Sequence, residues 1–155
     1  MIDQISLKIL TILQKKARIP NVEVARQVDM APSAVLERIR KLENNGYIDG
    51  YEVRLNPQKF KRNLVAFITV SVTKSADINA TGNRLATIPE VQEVHHIAAV
   101  DGFLVKVRVA DVAELGLLIS EKVRMIPEVS QTRTAVVMTT FKETARIPID
   151  AEDIA

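Results

Sequence analysis

The stretch NVEVARQVDMAPSAVLERIRKLENNG, residues 21–46, holds a short helix, a tight turn and a longer basic helix within the span of one DNA-reading motif. Asn21 is expected to cap the first helix through its side-chain oxygen, with Val22, Ala25 and Val28 on one face. Asp29 and Met30 supply the break. Pro32 restarts the chain in a first helical turn, where its missing N–H has no intrahelical partner to lose, and Val35, Ile39 and Leu42 recur at helical spacing. That stripe is the buried side. The opposite side presents Ser33, Ala34, Glu37, Arg38, Arg40 and Lys41, small or polar near the start and cationic further on. In a helix-turn-helix the second helix sets its N-terminal residues against base edges while cations and amides hold phosphate. Ser33 and Ala34 are therefore expected at bases or a thymine methyl, Glu37 or Arg38 as added base discrimination, and Arg40 and Lys41 mainly at phosphate. Paired amphipathic helices also occur in proteins that never meet nucleic acid, so the surrounding chain has to carry the choice.

Outward from this motif, a first helix from Asp3 or Ser6 to Ala17 shares Ile5, Ile9, Ile12 and Leu13 on one face and completes a three-helix unit. On the other side, GYIDGYEVRLNP, residues 46–57, begins with a glycine suited to a left-handed helix cap. It continues as extended chain carrying Tyr47, Ile48, Tyr51, Val53 and Leu55 and stops at Asn56-Pro57, as a wing or hinge strand would. The charge divides at this place. Residues 1–62 hold 12 Lys and Arg against 7 Asp and Glu, whereas residues 63–155 hold 9 against 12, so a basic polyanion-binding module is joined to an acidic remainder. The chain contains no cysteine, which removes disulfides, thiol catalysis and cysteine-based zinc sites. The N-terminus carries Asp3 and Lys8 within its apolar rhythm and lacks a small-residue cleavage site, so it reads poorly as a signal peptide. No apolar run approaches the ~20 residues that span a bilayer, and a cytoplasmic location is expected.

The second half contains an internal echo. Ile88-Pro89-Glu90-Val91 returns as Ile126-Pro127-Glu128-Val129, each time between a helix-period and a strand-period segment. A strand over 64–73 precedes a helix from Asp77 to Ile88. Then FLVKVRV, with Phe103, Val105, Val107 and Val109 on one side, precedes a helix that Asp111 and Glu114 open as a capping box. The order strand, helix, strand, strand, helix, strand predicts a ferredoxin-like βαββαβ domain, both helices on one sheet face. The fold class is thus α+β: a winged helix-turn-helix followed by this sandwich. Boundaries are expected at 1–50 for the DNA-binding domain, 51–63 for hinge and linker, 64–141 for the sandwich and 142–155 for a tail. The bare sheet face calls for a partner, and a second copy of the chain is the simplest one. No catalytic set, metal site, phosphate-cradling loop or cofactor is expected: His95 and His96 are adjacent, so on a strand they point to opposite faces.

This arrangement resembles the Lrp/AsnC (leucine-responsive and asparagine-responsive) family of transcription regulators over nearly the whole chain. The resemblance is carried by Ile2-Asp3, Ile9-Leu10, Leu13-Gln14, Ala17-Arg18, Val24-Ala25, Pro32-Ser33-Ala34-Val35, Arg38-Ile39, Leu42-Glu43, Gly46-Tyr47-Ile48 and Gly50-Tyr51. Downstream it rests on Pro89-Glu90-Val91, Phe103 to Val107, Val129, Thr132 and Thr134. It implies a DNA-binding domain and a ligand-sensing domain that assembles dimers into tetramers or octamers, with a small effector, usually an amino acid, between dimers. The effector loop then corresponds to Ala98, Ala99, Val100, Asp101 and Gly102, completed by Ser130, Thr132 and Thr134. The family's loop glycine is Ala99 here and its acidic residue is Gly102, with Asp101 one place early. Ser6 stands where an acidic residue is common, and Ala31 where a capping serine is. Two other readings share the plan: an enzyme similar to siroheme decarboxylases, in which His95 or His96 would act, and a stand-alone metabolite-sensing module. The cationic helix argues against the enzyme.

Overall fold

The computed structural model describes residues 2–98 and 101–149. They form two compact units, one running to Arg54 and resuming at Glu143, the other spanning Leu55–Lys142.

The first unit is three helices, α1 (Gln4–Lys15), α2 (Asn21–Val28) and α3 (Pro32–Asn44). Ile9, Val24 and Val35 are fully buried where the helices meet, joined by Leu7, Leu10, Leu13, Ala25, Ile39 and Leu42. Two details differ from the sequence reading. Pro20, not Asn21, is the N-cap of α2: its side chain caps nothing, but its carbonyl accepts from the amides of Glu23 (2.9 Å) and Val24 (3.1 Å). The buried stripe of α2 correspondingly runs through Val24 and Ala25, leaving Val22 exposed. Asp29 ends α2 in the left-handed conformation, and Gly46 does the same after α3 at φ 72°. Residues 47–56 form neither helix nor strand. The Tyr51 hydroxyl donates to Glu43 Oε1 at 2.9 Å and ties this segment to α3, while burial and the Glu43 carboxylate push its pKa up to about 12.

The end of the chain belongs to this unit too. The Gln14 amide clasps Ile147 at two points, donating to its carbonyl (3.1 Å) and accepting from its N–H (2.9 Å), and the Arg146 guanidinium donates to the Lys15 carbonyl (3.3 Å). Ile149 then packs against the helical core. Residues 143–149 are therefore a strap along α1, not a free tail.

The second unit is a four-stranded antiparallel sheet in the order β2-β3-β1-β4: β1 (Leu64–Val72), β2 (Val91–Ile97), β3 (Gly102–Val109) and β4 (Val129–Val136). Helix α4 (Ile78–Ala86) follows β1, and α5 (Val112–Leu117) follows β3 and passes into a π-helical turn, Leu118–Val123, which periodicity did not foretell. Ile68, Val70, Val105, Val107 and Val109 are fully buried with Leu85 and Val123, so both helices cover one sheet face. The capping-box-like start of α5 is present in a variant form: Asp111 caps by accepting from the Glu114 amide (2.8 Å), and the Glu114 carboxylate reaches past the cap to the Ala110 amide (2.6 Å). The repeated Ile-Pro-Glu-Val segments brace one another. Glu90 of the first pairs with Lys122 (2.6 Å), four residues before Ile126, and Glu128 of the second pairs with Arg84 (2.8 Å), four residues before Ile88. Each half of the repeat thus holds the helix of the other.

Candidate nucleic-acid interface and effector loop

On α3, Ser33, Glu37, Arg40 and Lys41 are exposed and Ala34 is half-buried, so the outward face of this helix is polar at its start and cationic beyond. Lys41 Nζ lies 3.2 Å from Glu37 Oε1, both well exposed, an i,i+4 pair weak enough to open for a phosphate. Ala31 caps nothing with its side chain, and Pro32 takes the first turn.

Arg38 differs from the exposed position expected of it. Its side chain is only 30% exposed, and its Nη1 donates to Asp3 Oδ2 at 2.6 Å and to Ser6 Oγ at 3.1 Å. Asp3 is itself the N-cap of α1, Oδ1 accepting from the Ser6 amide at 2.8 Å. The Ser6 amide, the Arg38 guanidinium and the Ser6 hydroxyl together hold the Asp3 carboxyl down at about 2, so it is charged at every pH at which DNA binding is measured. Sequence pattern could not show this, because 35 residues separate Asp3 from Arg38.

In the effector loop, Ala98 and Asp101 are exposed, and Ala99 and Val100 lie outside the described residues. The Asp101 carbonyl accepts from the Val72 amide at 2.8 Å. Gly102 is buried in β3 opposite Ser71 and Ile97, and a Cβ there would sit 1.9 Å from the Val70 carbonyl oxygen. This position can offer an effector its backbone alone. On β4, Thr132 and Thr134 are half-buried and paired with Val70 and Ile68, while Ser130 is exposed and donates to the Ser71 carbonyl (3.1 Å).

The sheet face away from the helices mixes apolar, Thr and Ser side chains with charged ones. Phe67, Thr69, Ser71 and Leu104 lie beside Glu93, His95 and Arg133, and Lys106, only 11% exposed, pairs with Glu93 at 2.9 Å. His95 lies 3.2 Å from the same Glu93 carboxylate, and the His96 ring packs against Phe103 on the helix side at 5.6 Å. Among the described residues no group of three or more His, Asp or Glu gathers as metal ligands, and no helix is long and apolar enough to cross a membrane.

Comparison with known proteins adds to this geometry. Residues 2–49 match the family model for a winged helix-turn-helix DNA-binding domain, and residues 65–147 match that for an Lrp/AsnC ligand binding domain. The leucine-responsive regulatory protein of Escherichia coli K12 is 36% identical over 150 residues, covering 96% of this chain and 92% of its own length. Among solved structures, a Neisseria meningitidis transcriptional regulator in complex with L-Met superposes with a TM-score of 0.90 at 26% identity, covering 96% of this chain and 97% of that one. The leucine response regulatory protein of Mycobacterium tuberculosis gives 0.81 at 28% identity, with 95% and 100% covered.

The seal over Gly102 has a measurable consequence. Gly102→Ala forces β1 and β3 apart at the Val70 carbonyl and should destabilise the protein by at least about 1–3 kcal/mol, seen as a lower urea midpoint. An unshifted midpoint would mean that the strands yield freely there.

Proposed function

The chain belongs to the Lrp/AsnC family of transcriptional regulators, and from that premise we propose how its residues read DNA, sense an effector and assemble. It is a regulator with a helix-turn-helix DNA-binding domain followed by an Lrp/AsnC ligand-binding domain. The observation that carries the reading of the interface is the outward face of α3. Ser33 and Ala34 meet base edges or a thymine methyl, Glu37 adds discrimination, and Arg40 and Lys41 hold phosphate. The chain acts in the cytoplasm as a regulator and not as an enzyme, a reading supported by relatives that are named as regulators.

Lys41→Ala should weaken binding to operator and random duplex alike and reduce the slope of log affinity against log salt by about 1. Binding curves on both duplexes at several salt concentrations check it, and an unchanged slope would remove Lys41 from the interface.

The effector is a small molecule of amino-acid type, a reading supported by the L-Met complex of the Neisseria relative. Residues 98–102 with Ser130, Thr132 and Thr134 form its site, where Asp101 is the one carboxylate of the loop sequence that can meet an ammonium group. Because Gly102 has no side chain where the family keeps an acid, leucine should bind weakly or not at all, and any amino acid that does bind should lose affinity in Asp101→Ala. Calorimetry with the full amino-acid set measures both; micromolar leucine binding that survives the substitution would mean that the pocket lies elsewhere.

Self-association is supported by the apolar side chains left in water. Phe67 and Leu104 lie on the uncovered sheet face, and Val53, Met138 (93% exposed) and Phe141 (97% exposed) project from the connecting segments. A symmetric dimer, and from it a tetramer or octamer, would bury them and multiply weak half-site contacts. Light scattering at micromolar concentration should give at least a dimer, and a stable monomer would overturn the proposal.

A further inference from the structure

The two oxygens of Asp3 serve two different helices. Oδ1 caps α1 at the Ser6 amide, and Oδ2 takes the Arg38 guanidinium of α3. Ser6, where the family commonly has an acid, is buried and receives a second donation from the same Nη1. The guanidinium of the one arginine central to α3 is thereby turned inward, and Arg40 and Lys41 are left as the outward cations.

We infer that Asp3 and Arg38 form a strut that positions α3 for DNA reading, with Arg38 acting through Asp3 and touching no DNA itself. The strut fixes the middle of α3 against the first turn of α1, so the start of α3, at Ser33 and Ala34, is presented at one angle. This matters here because the N-terminus of α3 has no side-chain cap to stiffen it. The inference rests on α3 being the DNA-reading helix.

The discriminating variant is Asp3→Asn. Asparagine caps a helix as well as aspartate does, so α1 keeps its first turn while the charge that holds Arg38 is gone. A strut predicts that specific affinity for the best duplex selected from random DNA falls about three- to tenfold although a repelling charge has been removed, with the salt slope unchanged. Arg38→Ala should lose a similar factor, and the double variant no more than either single one. If Arg38 instead reads DNA and Asp3 merely competes for it, Asp3→Asn tightens binding and Arg38→Ala lowers the salt slope by about 1; either result, or unchanged affinity, overturns the strut. Hydrogen exchange gives a readout without DNA: protection of the Val35 to Ile39 amides should fall about tenfold in Asp3→Asn, and unchanged protection refutes the inference. A wild-type chain that binds no duplex would refute α3 as the reading helix, leaving exchange to judge the strut.

Discussion

The second unit depends on the burial of one face of β1. Ile68 and Val70, without any exposed surface, are flanked by Val105 and Phe103 on one neighbouring strand and by Thr134 and Thr132 on the other, and both helices must close over that single apolar strip. Burying a Val or Ile side chain contributes about 1.5–3 kcal/mol, so the choice of covered face is settled by these positions alone. The ion pairs are a finer control. Glu90 with Lys122 and Glu128 with Arg84 are partly exposed, and pairs of that kind contribute little to stability, about 0–1 kcal/mol each. Each carboxylate follows a proline that ends one helix and reaches for the other helix, so the pairs link the two halves of the repeat.

Much of this was legible because the informative contacts are local. Alternation of Phe103, Val105, Val107 and Val109 has one physical reading, a strand with one dry face, and the Asp111/Glu114 box announces its helix within four residues. The helix-turn-helix was legible for the same reason, down to the stripe Val35, Ile39 and Leu42. What escaped the sequence was set at long range or by competition. Asn21 is a good capping residue, yet the chain entering from Pro20 supplies a carbonyl in the same place, and α2 turns its Val24 edge inward. A guanidinium on a polar face reads as solvated until a carboxylate 35 residues away is found beside it. The clasp of Gln14 on Ile147 crosses 133 residues and leaves no periodic trace.

The loop proposed for the effector enters a strand whose pairing leaves room for glycine alone. The strand that carries Gly102 is where the fold requires it, paired on both sides, and the superposition with relatives is close. The Val70 carbonyl occupies the space that a side chain at Gly102 would need, so glycine there is a structural requirement of this sheet. A carboxylate side chain introduced at that position would meet the Val70 carbonyl before it met a ligand.

The strap of residues 143–149 ties the three-helix unit to the order in which the chain is made. A ribosome releases α1, α2 and α3 first and the whole β-sheet unit next, and only then the residues whose backbone Gln14 clasps and whose Ile149 seals against the helical core. The helical unit is thus completed only after the sheet unit has emerged and has had the chance to fold. A chain broken off before residue 143 lacks that contact, so its helices are incompletely supported.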